Sequence, residues 1–387
     1  MTSRTRLAAI AAIGTLAVAL SACSSGPAAS TEGASTDPIR FAAPLPLSGD
    51  SAQYGEYFQQ GYELALEQIN AAGGIDGRQV ELVYEDTQAD PSVAPSIAQK
   101  FIDDSSILAT FADFGTPAAS AASQLYQDAG LVQFAFTQSG AAITDPGDYI
   151  FATWVSQEFE APRLAAFAAE QGDTAAVFSH DTDWGEATYE FFSGGAEDAG
   201  LEQVYSTSYD PAGTDYRPLL LAAQKTNPEV LVLISYAAAG APITSQAREL
   251  GIETPVVGIS SIYNQQFIEL AGDAAEGVQT LSYFTPVNPD PAVQQFIADF
   301  DAKYDVATPS DFAIRAYDAL NIVAAAAQIA ADETGEITRA SIRDALDDGT
   351  DFATVLYGPI TFNDNRRVAD AEQFALVIEN GAFRLRD

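Results

Sequence analysis

The sequence predicts an α/β protein of two lobes, each built on a parallel β-sheet with helices packed against it. Two observations carry this. From Ile39 onward, short β-rich apolar runs alternate with amphipathic helical stretches, the pattern of stacked βα units. A second set of such units follows from Ala175, and a chain of 387 residues is long enough for two domains.

The elements follow in order. Ile39 to Leu47 reads as the first strand. After it, Phe58, Tyr62, Leu66 and Ile69 fall on one face of a helix that stops at Gly73-Gly74. Val80 to Tyr84 is the next strand, and Asp90-Pro91 starts a helix whose buried face is Val93, Ile97 and Phe101. Ile107 to Phe111 and Leu131 to Phe136 are the third and fourth strands. The second set places strands near Ala175 to Phe178, Gln203 to Ser208, Val230 to Ser235 and Pro255 to Gly258. Val278 to Tyr283 reads as a further strand, followed by helices around Val293 to Phe300 and Ser310 to Ala331. The last stretch breaks the alternation, since Gln373 to Ile378 and Ala382 to Leu385 flank Asn380-Gly381, a two-residue hairpin signal. A closing antiparallel hairpin suggests that the chain crosses between the lobes more than once.

The first 22 residues read as an export signal. Arg4 and Arg6 precede an apolar run, Leu7 to Leu20, shorter than the ~20 residues a spanning helix needs. The only cysteine, Cys23, closes the run Leu20-Ser21-Ala22-Cys23, which resembles the lipobox of bacterial lipoproteins, in which cleavage leaves an acylated cysteine first. The segment from Ser24 to Asp37 is rich in Ser, Gly, Ala, Thr and Pro and has no hydrophobic period, as a flexible tether has. The expected location is therefore extracytoplasmic, at the outer face of a membrane, held by acyl chains.

Removal of the signal takes away Arg4 and Arg6 and no acid, changing the formal net charge from −37 to −39. That balance excludes a basic nucleic-acid footprint. With no second cysteine there is no intrachain disulfide, so core burial alone must stabilise the fold.

In open parallel sheets, ligands sit beyond the carboxyl ends of the strands, where loops and helix N-termini converge. Thr116, before Pro117, occupies an expected helix N-cap, and Thr137 and Ser139 follow the next strand. Taken singly each reads as an ordinary cap or turn residue. Together they bring neutral donors for an anion or polar group to one sheet edge. Tyr54, Phe114, Trp184, Tyr236 and Tyr263 hold corresponding loop positions and would wall a small organic ligand, or else pack the rim. His180 lies beside Asp181 and Asp183 and reads as a solvated loop histidine. There is no Gly-rich phosphate loop after the first strand and no Gly-x-Ser-x-Gly elbow, and one histidine cannot build a zinc site by itself. Binding without chemistry, cofactor or metal is the reading that remains.

The stretches Pro46-Leu47-Ser48-Gly49, Tyr54-Gly55 and Asn70 to Gly77 resemble the start of the branched-chain amino acid binding proteins of ABC importers, which are type I periplasmic binding proteins. The likeness continues through Asp86 to Pro91, Gly115-Thr116, Ser123 to Gly130, Asp181 to Gly185, Thr214 to Leu219, Tyr317-Asp318-Ala319 and Gly358 to Phe362.

The resemblance implies two Rossmann-like lobes joined by a three-stranded hinge, with crossings near Trp154 to Glu158, Phe284 to Asn288 and Asn363 to Val368. On that pattern lobe 1 takes residues 38–155 and 285–362, and lobe 2 takes 156–284 and 363–387. It implies that Thr116 and the segment Thr137-Gln138-Ser139 hold a ligand carboxylate, that Tyr54 and Phe114 line its side chain, and that Tyr236 closes over it. Trp184 joins this site as a wall. One departure concerns the ammonium: the family's α-amino acid binders carry an acid after the strand ending at Gly258, and this chain has Ser260. Asp113, Glu158 or Asp183 would have to substitute, and Arg315 would either serve a second carboxylate or lie on the surface.

The function expected is capture of a small amphipathic solute, a branched-chain amino acid or a related carboxylate or amide, by a monomer that hands it to a permease and ATPase. Alternatives are a sensing lipoprotein for a membrane receptor, and the same transport role with an aromatic acid, urea or short amide. A hydrolase would require a nucleophile within reach of His180 in the cleft.

Overall fold

The computed structural model describes residues 37–368 and 371–386. The expected lipid anchor at Cys23, the signal before it and all but the last residue of the tether lie outside the described residues. Among the described residues, no helix is long and apolar enough to cross a membrane.

The first sheet holds β1 (Ile39–Leu45), β2 (Val80–Asp86), β3 (Ile107–Phe111), β4 (Val132–Ala135) and β5 (Ile150–Ala152) in the order 2-1-3-4-5, all parallel. Its helices are α1 (Ala52–Ala71), α2 (Ala94–Asp103) and α3 (Thr116–Asp128). The second sheet begins after α4 (Gln157–Ala169), with β6 (Thr174–His180), α5 (Asp183–Ala199), β7 (Glu202–Tyr209), α6 (Arg217–Gln224), β8 (Val230–Ile234), α7 (Ala237–Glu249), β9 (Val256–Gly258), α8 (Gln265–Ala271) and β10 (Gln279–Ser282). Its order, 7-6-8-9-10, repeats that of the first. The chain then returns to lobe 1 as α9 (Pro291–Tyr304), α10 (Asp311–Thr334), α11 (Arg339–Asp347) and the small ladder of β11 (Phe352–Thr354) with β12 (Gly358–Ile360). It ends in lobe 2 with β13 (Phe374–Glu379) and β14 (Ala382–Leu385), antiparallel at the edge beside β10.

The residues explain the layering. Inner strands such as β8, Val-Leu-Val-Leu-Ile, are apolar at every position and buried throughout, because helices cover both faces of a parallel sheet. The edge strand β7 carries exposed residues along its length. Asn380 and Gly381 take φ of 53° and 71°, the left-handed pair a two-residue hairpin demands.

The two-lobed parallel architecture is as expected, with local differences. The short strands β5, β11 and β12 are not among the strands expected from the sequence. α2 starts at Ala94, not at Asp90-Pro91, with Val93 as its N-cap, and buries Ala94, Ala98 and Phe101, while Ile97 packs partly buried against the same core. The end of β5, just before the first expected crossing, is bonded to the segment expected as the third: Ala152 N–H donates to Arg366 O at 2.9 Å, and Val368 N–H to Ala152 O at 3.1 Å.

Candidate functional site: a cleft between the lobes

Both sheets reverse direction at equivalent points, between β1 and β3 and between β6 and β8, and the loops beyond those strand ends face each other. They line a narrow cleft that is nearly closed, with a free cavity of only about 10 Å³. Lobe 1 supplies Phe114, Thr137, Ser139 and Phe312; lobe 2 supplies Glu160, Trp184, Tyr236, Ser260 and Ser261. A larger groove of about 480 Å³ opens at the outer seam around Gln53, Tyr57, Asn264 and Phe383. Its walls come mostly from α1, the α9–α10 connection and β14, so the strand-end cleft is the better candidate.

Aromatic rings form a continuous box. Tyr54 stacks on Phe114 at 4.2 Å and meets Phe312 edge-on at 4.9 Å. Across the cleft, Trp184 stacks on Tyr236 at 4.7 Å, and Tyr236 approaches Phe114 at 5.8 Å. Burial raises the Tyr54 and Tyr236 hydroxyl pKa values, so both stay protonated donors, and the buried Tyr54 hydroxyl has no hydrogen-bond partner among the described residues.

The hydroxyl edge is built by α3 and the loop after β4. Pro117 opens α3, but the N-cap position falls on Gly115, at φ 77°, and Thr116 is the first helical residue, not the cap. Thr116 packs against Gly140: a Cβ at position 140 would lie 2.5 Å from Thr116 Cγ2, so glycine lets the loop reach α3. Trp184 Nε1 donates to Ser139 Oγ at 3.0 Å, and Gln157 N–H donates to Ser139 O at 2.8 Å, tying lobe 2 to this loop. Gln138 differs from its two neighbours. Its amide donates to Asp113 O at 2.6 Å and Thr137 Oγ1 at 2.7 Å, so its side chain turns into lobe 1 and only its backbone belongs to the loop.

The loop is held from behind by a residue that sequence reasoning missed. Arg367, in the segment expected as the third crossing, donates to Gly140 O (3.0 Å), Gln138 O (3.3 Å) and Trp154 O (3.0 Å). Burial lowers its pKa to about 10, which leaves it charged at neutral pH.

The three acids offered as ammonium partners are elsewhere. Glu158 and Asp183 are exposed. Asp113 is buried behind the cleft, accepting from Thr87 Oγ1 and Phe114 N–H. The acid in the cleft is Glu160, in the first turn of α4 and 3% exposed. Trp154 Nε1 donates to it at 3.1 Å and Ser260 Oγ donates to its other oxygen. One signal was available: Glu160 lies on the stripe Glu160, Leu164, Ala168, whose other members are apolar, where a charged side chain is conspicuous.

Arg315 is neither a surface residue nor a lining one. It is 2% exposed, donates to Asp311 at 2.9 Å and to Tyr357 Oη at 2.6 Å, and its guanidinium lies 3.6 Å above the Trp154 ring. Tyr263 packs on Phe383 at 4.7 Å, in the outer seam. His180 lies outside the cleft lining, and burial lowers its pKa to about 4, so it is neutral. The hydroxyl beside it, Thr182 Oγ1 at 3.0 Å, caps α5 by accepting from Gly185 N–H.

This geometry, two lobes of one topology closing strand-end loops on a small pocket, coincides with a family match. The sequence pattern of the family described as "Periplasmic binding protein" covers residues 38–382. The chain belongs to the periplasmic binding protein family. This is a family of binding proteins, not of enzymes. Among the relatives of this periplasmic binding protein is a leucine-, isoleucine-, valine-, threonine- and alanine-binding protein of Pseudomonas aeruginosa, 27% identical over 79% of this chain and 82% of the relative. A solved structure described as a putative branched-chain amino acid ABC transporter from Rhodospirillum rubrum is 30% identical, with a TM-score of 0.70, over 90% of this chain and 100% of that one. A branched-chain amino acid transporter substrate-binding protein from Streptococcus pneumoniae, solved with isoleucine, is 26% identical with a TM-score of 0.82, over 89% and 97% of the two chains.

Proposed function

We propose that this periplasmic binding protein is the substrate-capturing component of an ABC importer, anchored outside the cell membrane through Cys23, and that it binds a branched-chain amino acid or a related small amphipathic solute. The observation that carries the reading is the meeting, around one nearly closed cleft, of the Thr137 and Ser139 hydroxyls with aromatic rings from both lobes. Hydroxyls and free N–H groups bind a carboxylate without a buried cation, and the rings accept an apolar side chain. The relatives' names point to the same ligand class. In this reading Thr116, Thr137 and Ser139 hold the carboxylate. Tyr54, Phe114, Trp184 and Tyr236 enclose the side chain, the backbone of Gln138 supports the loop, and Ser260 faces the ligand from lobe 2.

Binding and release are the whole task, performed by a monomer. Ligand seated on lobe 1 favours closure, because Trp184 and Tyr236 can complete the box only when lobe 2 approaches. The closed form is then the shape presented to a permease, whose ATPase drives reopening.

A calorimetric screen tests this with the branched-chain amino acids, their amides, urea and aromatic acids. At least one branched-chain amino acid should bind with micromolar or tighter affinity and, at about 100 times its dissociation constant, stabilise the fold by about 2.7 kcal/mol. Absence of binding across the whole panel would remove the assignment.

A further inference from the structure

The chain lacks an acid at position 260, the place where the resemblance expects the partner of a ligand ammonium. Yet a carboxylate stands beside that place. Glu160 reaches Ser260 Oγ from the first turn of α4, and Trp154 Nε1 holds its other oxygen at 3.1 Å. Among the cleft-lining residues Glu160 is the only Asp, Glu, Lys or Arg. A carboxylate offers about four lone-pair directions, and these two donors engage only two of them, so capacity remains for N–H donors from the cleft.

Its charge also lacks a direct counter-ion. The closest candidate, Arg315, is committed to Asp311 at 2.9 Å and lies over the Trp154 ring. A buried carboxylate without a cation is costly, and burial raises the Glu160 pKa accordingly. A cationic group entering the cleft would relieve that cost. The hydroxyl edge, which suits an anion, belongs to lobe 1, while Glu160 belongs to lobe 2. The two poles of a zwitterion would therefore be read by different lobes.

We propose that Glu160 is the acceptor for the α-ammonium group of the ligand, taking over from α4 the task usually given to an acid after β9, and that it makes the cleft selective for α-amino acids over their des-amino counterparts. The proposal rests on the reading of this cleft as the ligand site. Ser260 in this arrangement orients the carboxylate.

The test is titration calorimetry with leucine and with 4-methylpentanoate, its des-amino analogue, using the intact exported chain, Glu160→Gln, and Glu160→Gln combined with Ser260→Glu. The unaltered protein should prefer leucine by about 100-fold, the scale of a lost hydrogen bond to a charged group. Glu160→Gln should abolish most of that preference by weakening leucine while leaving 4-methylpentanoate within about threefold, and the double variant should regain the preference. Equal affinities in the unaltered protein would overturn the proposal whether or not the variants fold, as would an unchanged preference in Glu160→Gln. Binding without preference sinks only the role of Glu160; no binding of any panel member sinks the site itself.

Discussion

Asp113 precedes the cleft residue Phe114, yet its carboxylate points away, toward Thr87 Oγ1 and the Phe114 N–H, and its second oxygen has no partner among the described residues. Burial lifts its pKa from 3.8 to about 6. Between those values the folded state holds a proton that the unfolded state has released. Stability from this group is therefore highest in acid and falls as pH rises through 4 to 6, at a cost approaching about 3 kcal/mol by neutrality. Asp113→Asn retains an acceptor and removes the titration. Denaturant unfolding at pH 4.5 and 7 should show the wild type losing ground to the variant over that interval; parallel profiles would contradict the assignment. At this scale Thr137 and Ser139 were legible as hydroxyls that follow a strand of a parallel sheet, and both lie on the cleft wall. It misjudged Gln138 because neighbouring side chains in an extended loop point opposite ways. Glu160 stayed hidden because it rides on a helix, where strand-end reasoning does not look.

The segment expected as the third crossing shows how an element can matter without touching a ligand. Arg366 donates to Ile150 O and Thr144 O at 3.2 and 3.0 Å, and Arg367 to three carbonyls of the hydroxyl loop and the expected first crossing. Arg367→Met keeps much of the buried stem and leaves those carbonyls without their donor. The expected loss is about 3 kcal/mol of unfolding free energy, readable as a lower urea midpoint, with weaker ligand binding as the loop loosens; an unchanged midpoint would argue against the clamp. Long periodic helices such as α1 and apolar strands such as β8 were legible because burial imposes a repeat. The clamp was not, since a single arginine in a turn-rich stretch carries no repeat.

For the molecule as a whole, 54 acidic residues face 17 basic ones, a formal net charge of −37. Self-repulsion of this size opposes compaction and is screened by ions. Raising sodium chloride from about 0.1 M to about 1 M shortens the screening length from about 10 Å to about 3 Å, which should raise the melting temperature by on the order of a few degrees. A flat or falling trend would mean that like charges are already well separated. The repeated strand order, two sets of βα units with the same reversal, was visible as alternation, whereas which loops meet across the lobes was expected only from the family resemblance, because that depends on how the chain folds back.

β13 and β14 are the last strands in the chain, yet β13 lies beside β10 and contributes Leu376 and Ile378 to the cores. The clamp at Arg367 comes nearly as late. Neither lobe can finish assembling until these late segments are in place. Delay is thus written into the order of the strands: each half waits on a late segment, and both complete together.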